Sequence, residues 1–387
     1  SETVREIAAT LASGTLPRPG ADAVVSHAPE TGTLTIPESG HLAAGTRRVL
    51  APCGWVDPTV PSEYDLISTD PDRDADAVAE LGVLGRGRGD ASSDRPARDA
   101  WRTAREAAGE SVVVVNANDA DDRQRADRTL LAGAPIAVFD GAAAVARYVG
   151  ATEIVIHLNE ADTKLAEHVD RAAQAVGDWD VEIQPVVGPD AFRAGAPTAA
   201  LEALEGADRI EPRIQPPSPA SYGLYGRPTV VHTPRTFAQL REVLRDPSGR
   251  YPEDADPGTR LFTVTGDVAA PATVELRSNA SLGACRDAVE VDGAFKMACV
   301  GGVFGGVTRE LDLPSTARSL EAAGLGTEGA VELLSDRRCP VALAGERARF
   351  GATENSGRCV PGREGTVQLT ELLRSIYDGS YEPEKIR

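Results

Sequence analysis

Four consecutive valines close the segment Ser111–Val115, bounded on both sides by polar turns, which is the pattern of a strand buried on both faces. The Ala-rich stretch Leu130–Val149 reads as a helix, Glu153–Leu158 as a second buried strand, Thr163–Val176 as a helix and Val181–Val187 as a third strand. Strands alternating with helices predict a parallel sheet covered by helices. The Pro-rich stretch Pro212–Pro228 is expected to be irregular and surface-bound. Beyond it the period changes from helical to alternating: Thr259–Glu275 places Leu261, Thr263 and Thr265 against Phe262 and Val264 and turns at Gly266-Asp267. This predicts a small antiparallel or mixed sheet, with a helix over Ser281–Val289. Residues 314–387 read mostly as helices, including Ser315–Ala323 and Gly365–Tyr377. At the other end, a helix is expected over Glu2–Ser13, a strand over Gly32–Pro37, a loop around Asp57-Pro58 and Pro61, and a charged, Gly-rich stretch over Asp70–Asp99. These breaks divide the chain at 1–70, 71–245, 246–310 and 311–387.

Composition narrows the function classes. The 387 residues, at about 150 per domain, allow two or three domains. Aromatic residues are 4% of the chain, so Val, Leu, Ile and Ala must fill the core. A net charge of −19 argues against nucleic acid as a partner, because phosphates would meet like charge. Lysine occurs only at Lys164, Lys296 and Lys385, and acidic residues outnumber basic ones by 59 to 40. That surface is expected in a salt-rich cytoplasm of the haloarchaeal kind, where salt screens the self-repulsion. No apolar run reaches membrane-spanning length, and Ser1–Leu16 lacks the order of a signal peptide, so a soluble, cytoplasmic protein without a membrane span is expected. The five cysteines form no CxxC pair and the five histidines no HxxxH pair, which removes a zinc ribbon or a histidine metal site.

Three segments carry candidate chemistry. Gly82–Asp90 (GVLGRGRGD) has the closely spaced glycines that let backbone N–H groups approach a phosphate, with Arg86 and Arg88 adding charge. As a bare motif it reads more readily as a solvated loop, and Asp90 would repel an anion. Asn116-Ala117-Asn118-Asp119 lies at the carboxyl end of a parallel strand, where α/β folds bind ligands, although Asn and Asp are also ordinary turn formers. The third segment is Glu354–Thr366, ENSGRCVPGREGT.

With that segment the chain resembles the NADH-binding flavoprotein subunit of respiratory complex I and its relatives among NAD-linked hydrogenases and formate dehydrogenases, which carry ESCGxCxPCREGT here. Other stretches agree in order. Gly85-Arg86-Gly87 is similar to the family's flavin-phosphate loop, Asn116-Ala117 with Asp127-Arg128 to NADEGEPGTFKDR, Leu201–Gly206 to LLESLEG, and Gly223–Val231 to GLFGKPTVV. The resemblance runs from about residue 45 to 378 and implies a Rossmann-like flavin domain, a ubiquitin-like β-grasp (SLBB-type) domain over 246–310 and a C-terminal helical bundle. The cofactor-binding positions it implies are Gly85, Arg86, Gly87, Arg88, Asn116, Asp119, Glu160 and Thr236.

The departures are as informative. The three cluster cysteines of the family motif fall on Ser356, Cys359 and Gly362, and no cysteine follows Cys359 in this sequence. A four-iron cluster normally takes four thiolates, so Cys359 is the one surviving ligand-type cysteine and the cluster is expected to be absent. The family's Gly-Ala-Gly-Phe-Pro becomes Arg88–Ser92, its Lys before Trp becomes Ala100, its paired glutamates become Ala196 and Pro197, and NNVET becomes His232–Thr236. The expectation is a divergent subunit of a redox complex, with other subunits and a thioredoxin-like small subunit as candidate partners, and peripheral to any membrane complex. Two readings stand beside it: an active flavoprotein passing electrons from NADH through FMN to another acceptor, and a binding module that uses its β-grasp region.

Overall fold

The computed structural model describes residues 2–15, 37, 40–67, 77–80, 82–177, 179–246 and 258–381. The expected strand at 32–37 and the start of the charged stretch fall almost wholly outside them. The valine run forms β1 (Val112–Asn116), every residue of which is buried. It pairs in parallel with β2 (Glu153–Asn159), which pairs with β3 (Glu182–Gly188). β4 (Thr229–His232) lies on the other side of β1, giving the order β3-β2-β1-β4, all parallel. Burial on both faces is what a continuous β-branched run calls for.

One face is covered by the helices Arg98–Glu106, Pro135–Val149 and Pro234–Arg245, whose Trp101, Phe139 and Phe237 are almost fully buried. The other face packs Val112, Val114, Val155 and Val231 against Leu201 and Leu224. Gly141 lets two helices approach closely: a Cβ there would sit 2.1 Å from the carbonyl oxygen of Phe237. The helix expected over Leu130–Val149 is two helices, Ala126–Gly133 and Pro135–Val149, meeting at 100°. Pro135 is the cause, since it offers no N–H to the preceding turn and pushes Ala134 out of helical conformation (φ −156°, ψ 55°).

The second sheet has the order β6-β5-β9-β7-β8. The hairpin β5 (Thr259–Gly266) and β6 (Ala272–Arg277) was legible from its alternation. β7 (Phe295–Val300) and β8 (Gly306–Thr308) complete one side. The centre is β9 (Ala330–Ser335), parallel to β5 and antiparallel to β7, which is the strand order of a ubiquitin-like β-grasp. The expected division at residue 310 therefore cuts through this sheet, because its central strand lies in a region read as helical. The expected helix over Ser281–Val289 is a single turn, Ala284–Asp287. Two helices, Pro340–Glu354 and Thr366–Tyr377, pack on one another at the C-terminal end.

Residues 46–50 are tied into the second sheet by Glu275, which is 1% exposed. Its carboxylate accepts the backbone N–H groups of Arg48, Val49 and Leu50 at 2.8, 2.9 and 3.0 Å and the hydroxyl of Thr259 at 2.7 Å. Burial pushes this carboxyl above its ordinary pKa, while the N–H donors pull it back. Among the described residues no single helix is long and apolar enough to cross a membrane.

Candidate functional site

In an open parallel sheet the crevice lies beyond the carboxyl ends of the strands, where the strand order reverses. Here β1 is followed on one side by β2 and β3 and on the other by β4, so the reversal falls between β1 and β4. Asn116 ends β1 and His232 ends β4. The Gly-rich loop comes to this point: the N–H of Ala91 donates to the carbonyl of Val231 at 3.2 Å. Gly85 fits tightly, since a Cβ would meet the Ser92 carbonyl oxygen at 2.4 Å, and Gly87 takes φ +79° against the Arg235 guanidinium.

Asp90 occupies the inside of this loop and is 3% exposed. Its carboxylate accepts the N–H of Ser92 at 2.7 Å, the N–H of Arg86 at 3.2 Å and the hydroxyl of Thr236 at 2.5 Å. His232 Nδ1 lies 2.9 Å from the same carboxylate, and its Nε2 accepts the indole N–H of Trp101 at 2.7 Å. An indole N–H can only donate, so Nε2 is the acceptor and the imidazole proton sits on Nδ1, aimed at Asp90. The sequence marked Asp90 only as repelling an anion. The structure instead makes it the centre of a buried Trp101–His232–Asp90–Thr236 chain.

A second polar chain runs along the strand ends. Asn116 donates from Nδ2 to the carbonyls of Gly89 at 3.1 Å and Gly195 at 3.0 Å, fixing the loop to the segment before the helix Pro197–Leu204. Its Oδ1 faces His157 Nδ1 at 3.2 Å, and His157 Nε2 faces the amide nitrogen of Asn118 at 3.2 Å. Asn159 donates to Asn118 Oδ1 at 3.1 Å and to Asp190 at 3.0 Å. Burial pushes the fully enclosed His157 down to about 4, so it is neutral. His157, Asn118 and Asn159 were not among the expected site residues. Their mutual contact depends on strand pairing, although Asn118 stood in the motif itself.

Charged groups gather where the loop meets the second sheet. The Arg88 guanidinium lies 3.6 Å from the centre of the Phe192 ring and donates to the Phe192 carbonyl at 2.6 Å. Arg235 grips Asp127 through Nε at 3.0 Å and Nη2 at 2.5 Å, and its Nη1 reaches the Glu328 carbonyl at 2.7 Å. Burial pushes Asp119 up to about 7, against the favourable charges of Arg235 and Arg88. Burial also pushes Glu328 up to about 7, with Arg88 pulling it down and Asp121 pushing it further up.

Of the expected positions, Gly85, Arg86, Gly87, Asn116 and Thr236 converge on the loop, and Arg88 and Asp119 flank it. Arg86 is 3% exposed, with Nη1 3.7 Å from Asp94. Glu160 lies apart: it is exposed and its carboxylate accepts the N–H of Asp190 at 3.0 Å. Cys359 is exposed on the turn between the two C-terminal helices, where the N–H of Gly362 points at its Sγ at 3.4 Å.

The loop can be tested against a flavin phosphate. Its Arg86 amide already serves Asp90 and Thr236. A phosphate would also meet a carboxylate at the position where the family pattern has glycine. The fit is poor as the side chains stand. The turn at 356–362 supplies one thiolate, with Ser356 and Gly362 beside it, and a four-iron cluster does not fit one thiolate. Among the described residues no three His, Cys, Asp or Glu side chains gather as a metal site.

Comparison with known proteins places these features in a family. The family model of the Nuo51 FMN-binding domain matches residues 78–242, and that of the NADH-ubiquinone oxidoreductase-F iron–sulfur binding region matches residues 342–387. The second match gives no support to the expected loss of the cluster, which rests on the donor set alone. The second F-type chain of the NADH-quinone oxidoreductase of Rhizobium meliloti is 30% identical over 339 residues, covering 81% of this chain and 78% of its own. The alpha chain of the NAD-reducing hydrogenase HoxS of Cupriavidus necator is 29% identical over 321 residues, covering 76% of this chain and 51% of its own. Crystal structures of NAD+-reducing [NiFe]-hydrogenase superpose with TM-scores of 0.69 (H2-reduced) and 0.74 (air-oxidised), at 30% and 29% identity. They cover 79% and 87% of this chain, which spans only 55% and 59% of theirs. A parallel sheet with its glycine loop at the switch point, a β-grasp sheet and a helical C-terminal region, matched at this identity and coverage, make the chain a member of the family of NADH-binding flavoprotein subunits of NADH-quinone oxidoreductases and NAD-reducing hydrogenases.

Proposed function

We propose that this chain is a subunit of a multi-subunit redox complex that retains the flavoprotein fold as a scaffold, with its flavin-phosphate loop closed by its own side chains and no four-iron cluster. The observation that carries the reading is Asp90. Its buried carboxylate takes two backbone N–H groups, one hydroxyl and an imidazole N–H inside the loop. A phosphate dianion would have to displace these bonds and then sit against the carboxylate. Hydride transfer is chemistry that a flavin carries, while the protein supplies orientation and charge. Here the orienting groups are spent on one another: Asn116 on Gly89 and Gly195, and Arg235 on Asp127. Ser356 and Gly362 beside Cys359 support the loss of the cluster on the same grounds. Partner subunits, including a thioredoxin-like small subunit, and a position on the soluble side of any membrane complex belong to this reading.

The second reading, an NADH-oxidising flavoprotein with FMN in place, is favoured by the match of the FMN-binding domain over residues 78–242. One experiment separates the two. The chain is purified in molar potassium chloride, its visible spectrum and iron content are recorded, and it is titrated with FMN beside Asp90→Gly. The scaffold reading expects a colourless, iron-free protein and FMN binding that appears only in D90G. A yellow or iron-containing wild type overturns it in favour of the second.

A further inference from the structure

On the far side of the helix Ala126–Gly133 from Arg235, the structure holds a cleft of about 370 Å³ built from three separate parts of the chain. Residues 47–53 supply Arg47 and Leu50, the start of the helix supplies Arg125 and Thr129, and the hairpin β5–β6 supplies Thr263 and Thr273. Among the described residues no carboxylate lines it, although acidic residues exceed basic ones by 59 to 40 in this chain.

The two cations are lightly engaged. Among the described residues Arg47 forms no ion pair, and its guanidinium donates to the Cys53 carbonyl at 3.3 Å. Arg125 donates from Nε to the Asp122 carbonyl at 3.1 Å and stands 3.7 Å from the exposed Asp122 carboxylate, a contact of little strength in water. The hydroxyls are oriented around them. Thr263 Oγ1, 1% exposed as a residue, accepts the N–H of Arg125 at 2.8 Å, which leaves its own proton to donate. Thr129 donates to the Arg125 carbonyl at 2.7 Å and lies 3.1 Å from Thr273 Oγ1.

We infer that this cleft is a binding site for a phosphomonoester. Two guanidiniums and the Thr263 hydroxyl, with no described carboxylate in the lining, match a divalent, many-oxygen anion. The space exceeds what a bare ion needs, and Leu50 and Ala272 give an organic body an apolar wall. The ligand would bridge residues 47–53, the parallel-sheet domain and the β-grasp hairpin, so its binding holds three segments in one arrangement. The site is separate from the glycine loop and does not depend on whether flavin binds there.

The test is calorimetric titration of the full chain at constant potassium chloride with inorganic phosphate in one arm and adenosine monophosphate in the other, repeated for Arg47→Gln, Arg125→Gln and Thr263→Val. Saturable binding of either probe is expected, weakened about tenfold or more in each arginine variant and accompanied by a rise in Tm with ligand concentration. Tighter binding of the nucleotide supports the esterified ligand, and equal or weaker binding overturns it in favour of free phosphate. If R47Q and R125Q both fail to fold, T263V must show the weakening. The inference is overturned if neither probe binds the wild type saturably, or if binding is unchanged in the folded variants.

Discussion

The ion pair between Arg235 and Asp127 ties the helix Pro234–Arg245 to the helix Ala126–Gly133 and to the loop before β9. Both side chains are deeply buried, with 5% and 8% of their side-chain surface exposed. The Asp127 carboxylate receives Nε at 3.1 and 3.0 Å, Nη2 at 2.5 Å and the backbone N–H of Arg235 at 2.9 Å. In Arg235→Ala only the backbone donor remains of these, so Asp127 is left charged in a site closed to water. Breaking a buried pair in this way costs about 3–5 kcal/mol, and the lost bond from Nη1 to the Glu328 carbonyl adds about 1 kcal/mol. Against a total stability of about 5–15 kcal/mol, the variant should unfold at much lower urea. Tryptophan fluorescence, to which Trp101 contributes from a 1% exposed position in the same domain, follows the transition. Because the pair is shielded, the loss should be the same at two potassium chloride concentrations, whereas a surface pair would weaken with salt. Replacing both partners, Arg235→Met with Asp127→Leu, should recover most of the loss. A loss in R235A below about 1 kcal/mol, the scale of exposed pairs, or one that shrinks as salt rises, would refute the buried-pair argument.

Other outcomes follow from the same geometry. His157 is held at about 4 against an ordinary 6.5. The unfolded chain therefore takes up its proton first, and stability falls as pH drops through that window, by about 3 kcal/mol at most. Urea midpoints for His157→Gln should lose this slope. Glu328 has the opposite sign, since its folded value near 7 lies above the ordinary 4.5 and its contribution is lost as pH rises through 7. Glu328→Gln should thus gain stability relative to wild type at alkaline pH and not at acid pH, and thermal melting at the two pH values decides it. Gly141→Ala should cost about 1–3 kcal/mol by forcing apart the helices at the Phe237 carbonyl, and a neutral effect in denaturant titration would contradict that close approach.

Local patterns made much of this legible, and long-range pairing hid the rest. The valines of β1 and the alternation of β5–β6 announce their burial residue by residue, whereas the glycine spacing alone read as a solvated loop and only the resemblance singled out the segment that the fold brings to the switch point. The role of Asp90 was hidden because its partners His232 and Thr236 are 142 and 146 residues away in sequence. Seen in sequence it is a charge in a loop; in the fold it fills that loop. β9 was missed because Ala330–Ser335 is a short apolar run among helices, and a run of that length does not declare its type until the neighbours on both sides are known. Glu160 was placed by resemblance, and in the fold it is exposed and held to the N–H of Asp190, away from the glycine loop.

The bonds of Glu275 bear on how this molecule can be dissected. A fragment beginning near residue 71 would strip three amide donors from a carboxylate that water cannot reach, and it would remove Arg47 and Leu50 from the wall of the cation-lined cleft. The short amino-terminal strap is thus structurally part of the β-grasp sheet, though more than two hundred residues separate them along the chain. Domain swaps or truncations that keep the two ends of that clasp together should preserve the sheet, and those that part them should leave it unable to close.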